Sequence, residues 1–183
     1  MTEMQTTEQA SKSEEMFPQG DTAAKVSSEN RAGKYLTFTM AEEDYGIGIL
    51  KVKEIIGMQD ITPVPQTPEF VKGVINLRGK VIPVVDLRLR FGIEATKYKE
   101  RTYIIEVEIH GESGTVQIGI VVDSVSEVMN IKEEEIEDTP TFGTRLDTDY
   151  ILGMAKMEGA VKILLEIDRV LSGNDIAMLK ETT

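Results

Sequence analysis

The chain has 183 residues and no cysteine, and its 32 acidic residues outnumber the 20 basic ones, for a formal net charge of −12. A chain without cysteine forms no disulfide and no thiolate metal site. Its surplus of negative charge disfavours contact with nucleic-acid backbones and anionic lipid surfaces. No stretch approaches the roughly 18 apolar residues that span a bilayer. These features favour a cytoplasmic protein that neither inserts into a membrane nor binds nucleic acid.

Residues 1–33 form the first segment, which is rich in Thr, Ser, Glu and Gln and has no apolar period. We expect a flexible, solvated tail without a signal peptide. The short run Met16-Phe17-Pro18 is an alternative docking motif within it.

From Lys34 onward the pattern is typical of β-strands. Leu36, Phe38 and Met40 alternate with polar residues, and a second alternating run begins at Tyr45. Further apolar runs bounded by turn residues cover 52–58, 74–77, 81–85, 102–109, 116–122, 125–131 and 161–167. Because a helical period is nearly absent, these runs predict a mostly β protein.

The predicted helices are short. Residues 67–73 combine a capping threonine, Pro68 in the first turn and a closing glycine, which predicts about one helical turn. Residues 86–92 follow the same logic with Asp86 as the cap. A longer helix is expected after Ile167, interrupted near residues 172–173 and resuming after Asn174.

The sequence contains an internal echo. Residues 46–55 resemble 119–128 at a constant offset of 73, and residues 73–81 resemble 153–161 at an offset of 80. In the second pair, two glycines six residues apart frame a hairpin signature. Two matches at nearly equal offsets predict two similar β-barrels of about five strands, related by pseudo-symmetry.

Groups that perform catalysis are scarce. His110 is the only histidine, and it precedes an expected turn. Neither a phosphate-binding glycine loop nor a nucleophile elbow is present. The acidic residues around 133–138 lack the spacing of a calcium loop, so a solvated loop is favoured over a metal site. We therefore expect no enzymatic activity, no cofactor and no metal. Surface recognition remains, and a groove between two barrels suits a partner helix.

Three motifs carry a family resemblance. The first begins at Tyr45-Gly46-Ile47. The second runs from Phe70 through Asn76-Leu77-Arg78-Gly79 to Pro83-x-Val85-Asp86-Leu87-Arg88, and the third is Gly119-Ile120-Val121-Val122-Asp123. Together they resemble CheW-type chemotaxis coupling proteins, from about Lys34 to Leu179. One departure is Gly48, which stands where the family commonly has an acidic residue and has no side chain for a polar contact there.

The resemblance implies a fold and a division of the chain. The fold is all-β, with two intertwined SH3-like five-stranded β-barrels, short helices and a C-terminal helix. The expected division is a tail at 1–33, a CheW-like domain at 34–172 and a terminal helix at 173–183. Within the domain, the two barrels would cover about 34–92 and 93–172, possibly with exchanged strands.

The resemblance also implies partners: a CheA-type histidine kinase and the cytoplasmic tip of methyl-accepting chemoreceptors. The protein would be cytoplasmic and recruited to receptor arrays at the inner membrane. The residues that match the family's receptor-contact region are Val52, Glu54, Ile55, Arg78, Tyr103, Gly119 and Val125. Weaker candidates for a kinase-binding face are Tyr150, Leu152 and Met154.

Two alternatives stay open from the sequence. One is a CheW-like scaffold of another chemosensory pathway, such as surface motility. The other, less favoured, is a nucleic-acid-binding β-barrel, which would need a basic stripe with exposed aromatic residues.

Within the family hypothesis, Glu54 and Arg78 are expected to lie close together at the junction of the two barrels. Apolar neighbours (Val52, Ile55 and Leu77) would partly desolvate the pair. Alternatively, Arg78 merely solvates a tight turn in which Gly79 supplies the unusual backbone angle.

Overall fold

The computed structural model describes residues 31–93, 102–112, 114–140 and 149–182. Its strands are β1 (Gly33–Met40), β2 (Glu43–Gly48), β3 (Val52–Gly57), β4 (Val71–Leu77), β5 (Lys80–Val85), β6 (Tyr103–Gly111), β7 (Gly114–Val122), β8 (Ser124–Ile131), β9 (Ile136–Glu137), β10 (Ile151–Met157) and β11 (Ala160–Leu165). The α-helices are α1 (Leu87–Arg90), α2 (Ile167–Val170) and α3 (Gly173–Thr182), and 3-10 turns cover Ile49–Lys51 and Glu133–Glu135. The predicted tail lies largely outside the described residues.

The strands form two curled sheets. One has six strands in the order β8-β1-β2-β11-β10-β9, and the other has five in the order β3-β6-β7-β5-β4. The mainly β architecture with few short helices confirms the predicted fold class. The six-stranded sheet exceeds the expected five because it includes β9, a two-residue strand that pairs with β10.

The two sheets exchange one strand each. After β2, the chain leaves the six-stranded sheet, and β3 pairs with β6 in the other sheet. After β7, the chain makes the reverse move, and β8 pairs with β1. Each half of the chain therefore contributes strands to both sheets.

The internal echo corresponds to equivalent structure. Strands β4 and β5 with α1 match β10 and β11 with α2, and every boundary is displaced by 80 residues. The parallel pair Val84–Gly119 matches Leu164–Gly46, with the same two offsets. The hairpins even share a register shift, between Val71 and Gly73 and again between Ile151 and Gly153. The two sheets therefore share the same arrangement of these elements and are related by pseudo-symmetry.

The glycine in each of these register shifts allows a close approach of the backbone. A Cβ on Gly73 would lie 2.1 Å from the carbonyl oxygen of Thr62, and a Cβ on Gly153 would lie 2.6 Å from Ile136 Cγ2. Since Thr62 bridges Val74 while Ile136 pairs with Ala155, both glycines admit an extra chain segment beside the hairpin.

Three hairpins close in two-residue turns whose central residues all have positive φ. This backbone is typical of type I′ turns, which suit the right-handed twist of paired strands. The central residues are Ala41-Glu42, Arg78-Gly79 and Glu158-Gly159.

The helix predictions had mixed outcomes. Asp86 caps α1 by accepting the Arg88 backbone N–H at 3.0 Å, as expected. The helices after Ile167 and beyond residue 172 also form. The helical turn at 67–73 is wrong: that segment makes turns and enters β4 at Val71.

Apolar side chains on both faces of the strands are buried in three clusters. A central cluster draws on both sheets and includes Phe38, Ile47, Ile105 and Ile120. Two smaller clusters lie on one sheet each, around Leu164 in the six-stranded sheet and around residues such as Val84 in the five-stranded one. The two sheets therefore share one core, and each also covers its second face with local contacts.

Candidate protein-interaction site

The structure brings Glu54 and Arg78 together. Arg78 Nη2 lies 2.6 Å from Glu54 Oε1, in a hydrogen-bonded ion pair. Glu54 belongs to β3 and Arg78 to the β4–β5 turn, so the contact joins the two ends of the five-stranded sheet. The side chain of Arg78 is 75% exposed and that of Glu54 is 28% exposed. The pair is therefore closer to an ordinary exposed ion pair, which contributes about 0–1 kcal/mol, than to the partly desolvated pair that we expected.

Exposed apolar side chains lie near this pair, on the opposite face of β3. β3 alternates between half-buried and exposed residues, so Ile55 points outward and is 41% exposed. Tyr103, opposite Gly57 at the start of β6, is 37% exposed. Val52 instead packs against the central core. The strand β3 itself is an edge strand of its sheet. An edge strand that carries the charged pair on one face and exposed apolar side chains on the other offers the elements of a protein-docking surface.

The remaining receptor-contact candidates lie elsewhere. Gly119 is buried in β7, where a Cβ would come within 2.6 Å of Ile104 Cγ2, so its evident role is close packing. Val125 lies on β8 in the six-stranded sheet and packs against the central core. Under the repeat offset of 73, Val125 occupies the position that matches Val52.

The kinase-face candidates lie on and just before β10. Tyr150 stacks on Phe91, with ring centroids 4.6 Å apart. Leu152 packs against the small core of the six-stranded sheet, and Met154 pairs with Ile163. All three are half-buried.

Sequence reasoning missed a buried ionic cluster. Arg88 is 1% exposed and binds Asp86 through two contacts, Nε to Oδ1 at 3.0 Å and Nη2 to Oδ2 at 2.8 Å. Its Nη1 lies 3.0 Å from Asp123 Oδ1. Asp123 stands where the chain crosses between sheets, and it also accepts the backbone N–H of Ala41 at 2.8 Å. The only signal in sequence was Asp86 as a helix cap.

A second ionic contact occupies the matching place at the other crossing. Lys51, just before β3, forms an ion pair with Asp168 of α2. Asp168 also accepts the backbone N–H of His110 at 2.9 Å. The charges are reversed relative to the Arg88 cluster, because here the helix supplies the carboxylate and the crossing segment supplies the cation. Asp123 binds the β1–β2 hairpin and Asp168 binds the β6–β7 hairpin, in each case a hairpin of the sheet that the crossing chain enters. Both clusters therefore fasten the exchange of strands.

A third cluster fastens the entry to β1. Arg31 contacts Glu133 at 2.9 Å and Asp138 at 2.8 Å. Burial alone would lower the pKa of Arg31, but its hydrogen bonds to these two carboxylates raise it overall. This contact uses part of the acidic segment that the sequence analysis placed in a solvated loop.

His110 and Glu108 of β6 make local polar contacts. His110 Nδ1 lies 3.1 Å from Thr115 Oγ1, and the hydrogen bond from Lys53 lowers the pKa of Glu108. Across the described residues, no group of three or more His, Asp or Glu side chains could hold a metal ion. Within that same part of the chain, no helix is long and apolar enough to cross a membrane.

Comparison with known proteins decides the family. The model of the CheW-like domain matches residues 34–175. The chain belongs to the CheW-like family.

Named CheW proteins are similar over most of their length. The chemotaxis protein CheW of Klebsiella aerogenes is 38% identical over 158 residues, which are 86% of this chain and 93% of that protein. The CheW of Treponema pallidum is 32% identical over 145 residues, covering 79% of this chain and 85% of that one. The crystal structure of the scaffolding protein TtCheW from Thermoanaerobacter tengcongensis has a TM-score of 0.68 and 40% identity, covering 79% of this chain and 95% of that one. The resemblance to CheW-type coupling proteins is therefore confirmed.

Proposed function

We propose that this CheW-like chain is a non-catalytic chemotaxis scaffold that couples chemoreceptors to a CheA-type histidine kinase. The CheW-like domain over residues 34–175 carries the proposal. The protein would act in the cytoplasm and reach receptor arrays at the inner membrane through its partners.

The receptor would bind on the surface around the Glu54–Arg78 pair. This surface offers a charge pair that water already reaches and two exposed apolar side chains, Ile55 and Tyr103. A partner helix lying along the β3 edge would cover Ile55 and Tyr103 with apolar residues while a polar residue engages the ion pair. Val52 and Gly119, which belong to the same sheet as the pair, would support this surface from within, and Val125 would contribute from the six-stranded sheet.

The kinase would bind on a separate surface that includes Tyr150, Leu152 and Met154. Two separate surfaces let a single scaffold hold both partners at once. Because the three residues are half-buried, the kinase would engage their exposed edges.

The test is a titration of the full chain against a purified CheA-type kinase and a receptor cytoplasmic fragment from the same organism. We expect binding to each partner, and a ternary complex with both. Because about 5 kcal/mol of binding free energy suffices for half-saturation near about 100 μM, the test is sensitive to weak coupling. Absence of binding to both partners at that concentration would overturn the proposal.

A further inference from the structure

An apolar groove of about 470 Å³ lies at one end of the six-stranded sheet. Its walls come from the start of β1 and β10, from the crossing between β2 and β3, and from the end of β11 with the start of α2. The apolar side chains that line it are Tyr35, Ile49, Leu50, Leu152, Leu165 and Ile167. Among the large apolar side chains that the structure describes, Leu50 is the most exposed, at 91%. The groove is therefore an apolar surface that the described residues leave open.

Pseudo-symmetry explains why the groove is open. Under the repeat offsets, Leu50 corresponds to Asp123, whose carboxylate binds the buried guanidinium of Arg88 at 3.0 Å. Asp168 stands in the position of Arg88, and its shorter side chain contacts Lys51 instead. Leucine cannot accept a hydrogen bond, so the bridge that closes the five-stranded copy has no counterpart among the described side chains of the other.

The chain that precedes β1 joins the structure at the rim of this groove. Arg31 is held by two carboxylates, at 2.9 and 2.8 Å. Its backbone carbonyl also accepts a hydrogen bond from the hydroxyl group of Tyr35. Residues 32–34, which follow, line the groove themselves. The segment 1–30, which lies outside the described residues, is therefore tethered directly beside the groove.

One run in this segment suits an apolar groove. Met16-Phe17 is its only pair of adjacent large apolar residues, Phe17 is its only aromatic residue, and Pro18 follows them. Residues 19–30 would span at most about 45 Å when extended, so the run can reach back to the groove. Charge does not select the occupant, because the groove is lined by both Lys34 and Glu166. The apolar lining and the tether select it.

We propose that the segment Met16-Phe17-Pro18 docks in the groove of its own chain, where its apolar side chains cover Leu50 and Leu152. The tether holds the segment at an effective concentration on the order of millimolar, so a weak apolar contact suffices. Leu152 also belongs to the proposed kinase surface, and a docked segment would cover part of that surface. The docking itself does not rest on the proposed function, and its test needs no partner protein.

The test places a nitroxide spin label on the isotopically labelled full chain. Because the chain has no cysteine, Gln19→Cys provides a single attachment site next to the docking segment. We expect the label to broaden the signals of residues that line the groove, namely Gly33, Gly48, Leu50 and Leu152. Reducing the nitroxide should restore these signals.

Variants of the spin-labelled chain assign the contact. Phe17→Ser and Leu50→Gln should each lower the relaxation enhancement at Leu152 by at least about threefold, since each removes a large apolar side chain from the contact. Because Leu50 is exposed, its variant should fold normally. Val26→Ser is the control within the segment 1–30, and Val81→Gln is the control for an exposed apolar side chain elsewhere. Neither should change the enhancement.

Three results would overturn the proposal. One is a relaxation enhancement at the groove that Phe17→Ser leaves unchanged, and another is an equal loss in the two controls. The third comes from a mixture of spin-labelled chain at natural isotope abundance with isotopically labelled chain that carries no spin label. Broadening at the groove in that mixture would show that a second copy supplies the segment.

Discussion

Arg78 combines two roles that the sequence analysis treated as alternatives. Its backbone, with a φ of 55°, forms the tight turn together with Gly79, and its side chain reaches Glu54. Glu158 occupies the matching turn position of the β10–β11 hairpin, with a φ of 48°. A glutamate is therefore compatible with this turn, which makes charge reversal at Arg78 a clean experiment.

We predict that Arg78→Glu abolishes receptor coupling while the free energy of unfolding changes by no more than about 1 kcal/mol, because the pair is exposed. Combining it with Glu54→Arg should restore part of the coupling if the pair itself is recognised. Kinase activity in a reconstituted receptor complex measures the coupling, and urea denaturation measures the free energy of unfolding.

Glu158→Arg is the matched control, since it changes charge at the equivalent turn without touching Glu54. It should couple normally. Normal coupling by Arg78→Glu would contradict the assignment of this surface to the receptor.

Arg88 differs from Arg78 because burial raises the cost of losing its charge. We predict that Arg88→Met lowers the free energy of unfolding by about 3–5 kcal/mol, since Asp86, at 0% exposure, would keep a buried charge without its guanidinium partner. Urea denaturation followed by circular dichroism measures the loss.

Lys51→Met is the comparison at the other crossing. Lys51 and Asp168 are about one-quarter exposed, so solvent screens their attraction and the loss should be about 1 kcal/mol. A loss for Arg88→Met no larger than for Lys51→Met would show that the buried cluster contributes little to folding.

The sequence predicted the proximity of Glu54 and Arg78, because both belong to motifs of one family. It did not predict the Arg88 cluster. Asp86 and Arg88 are two residues apart, but Asp123 and the Ala41 N–H come from distant segments whose approach depends on the strand exchange. Local spacing carries no information on such a contact.

Among the elements, strands were predicted better than short helices. The hairpins have alternating apolar residues and glycine turns, which are local signals. The segment 67–73 has helix caps as well, yet Val71 pairs with Val85, and Val74, three residues further on, bridges Thr62. Tertiary pairing therefore overrides the local helix signal. Strand β9 was missed because two residues are too short to show a period.

We predict that Gly119→Ala lowers the free energy of unfolding by about 1–3 kcal/mol, because its Cβ would meet the buried Ile104 Cγ2 at 2.6 Å. Gly48→Ala is the control, since nothing lies within 4 Å of its Cβ and its φ is −57°. That variant should stay within about 0.5 kcal/mol of the parent. Thermal or urea denaturation measures both.

The same variant tests how Gly119 affects receptor binding. If its role is packing, binding to the receptor fragment should fall only as far as the folded fraction falls. A Gly119→Ala protein with parental stability and no receptor binding would instead indicate direct contact.

At the scale of the whole molecule, the internal echo predicted two similar barrels, and the displacement of whole elements by 80 residues agrees with it. What the echo could not predict is the partner of each strand, because β3 and β8 carry the same pattern whichever sheet they join. The division of the chain into two barrels near residue 92 therefore stays a prediction. Strand pairing connects the two sides of that division twice, through β3 with β6 and through β8 with β1.

The exchange makes the folding of either half depend on the other. Among the strands that the structure describes, the only neighbour of β3 is β6 in the second half, and the only neighbour of β8 is β1 in the first. The central core likewise combines Phe38 and Ile47 with Ile105 and Ile120.

We predict that fragments 31–92 and 93–183 are each largely unfolded alone and form a native-like complex when mixed, because only then are both exchanged strands paired and the shared core complete. Circular dichroism and amide exchange on the separate and mixed fragments measure this. A chain divided between β2 and β3 is the comparison. That cut keeps β3 in the same fragment as its partner β6 and separates it only from β1 and β2. Cooperative unfolding of either 31–92 or 93–183 alone would contradict the prediction, since it would mean that one half can complete a sheet without its exchanged strand.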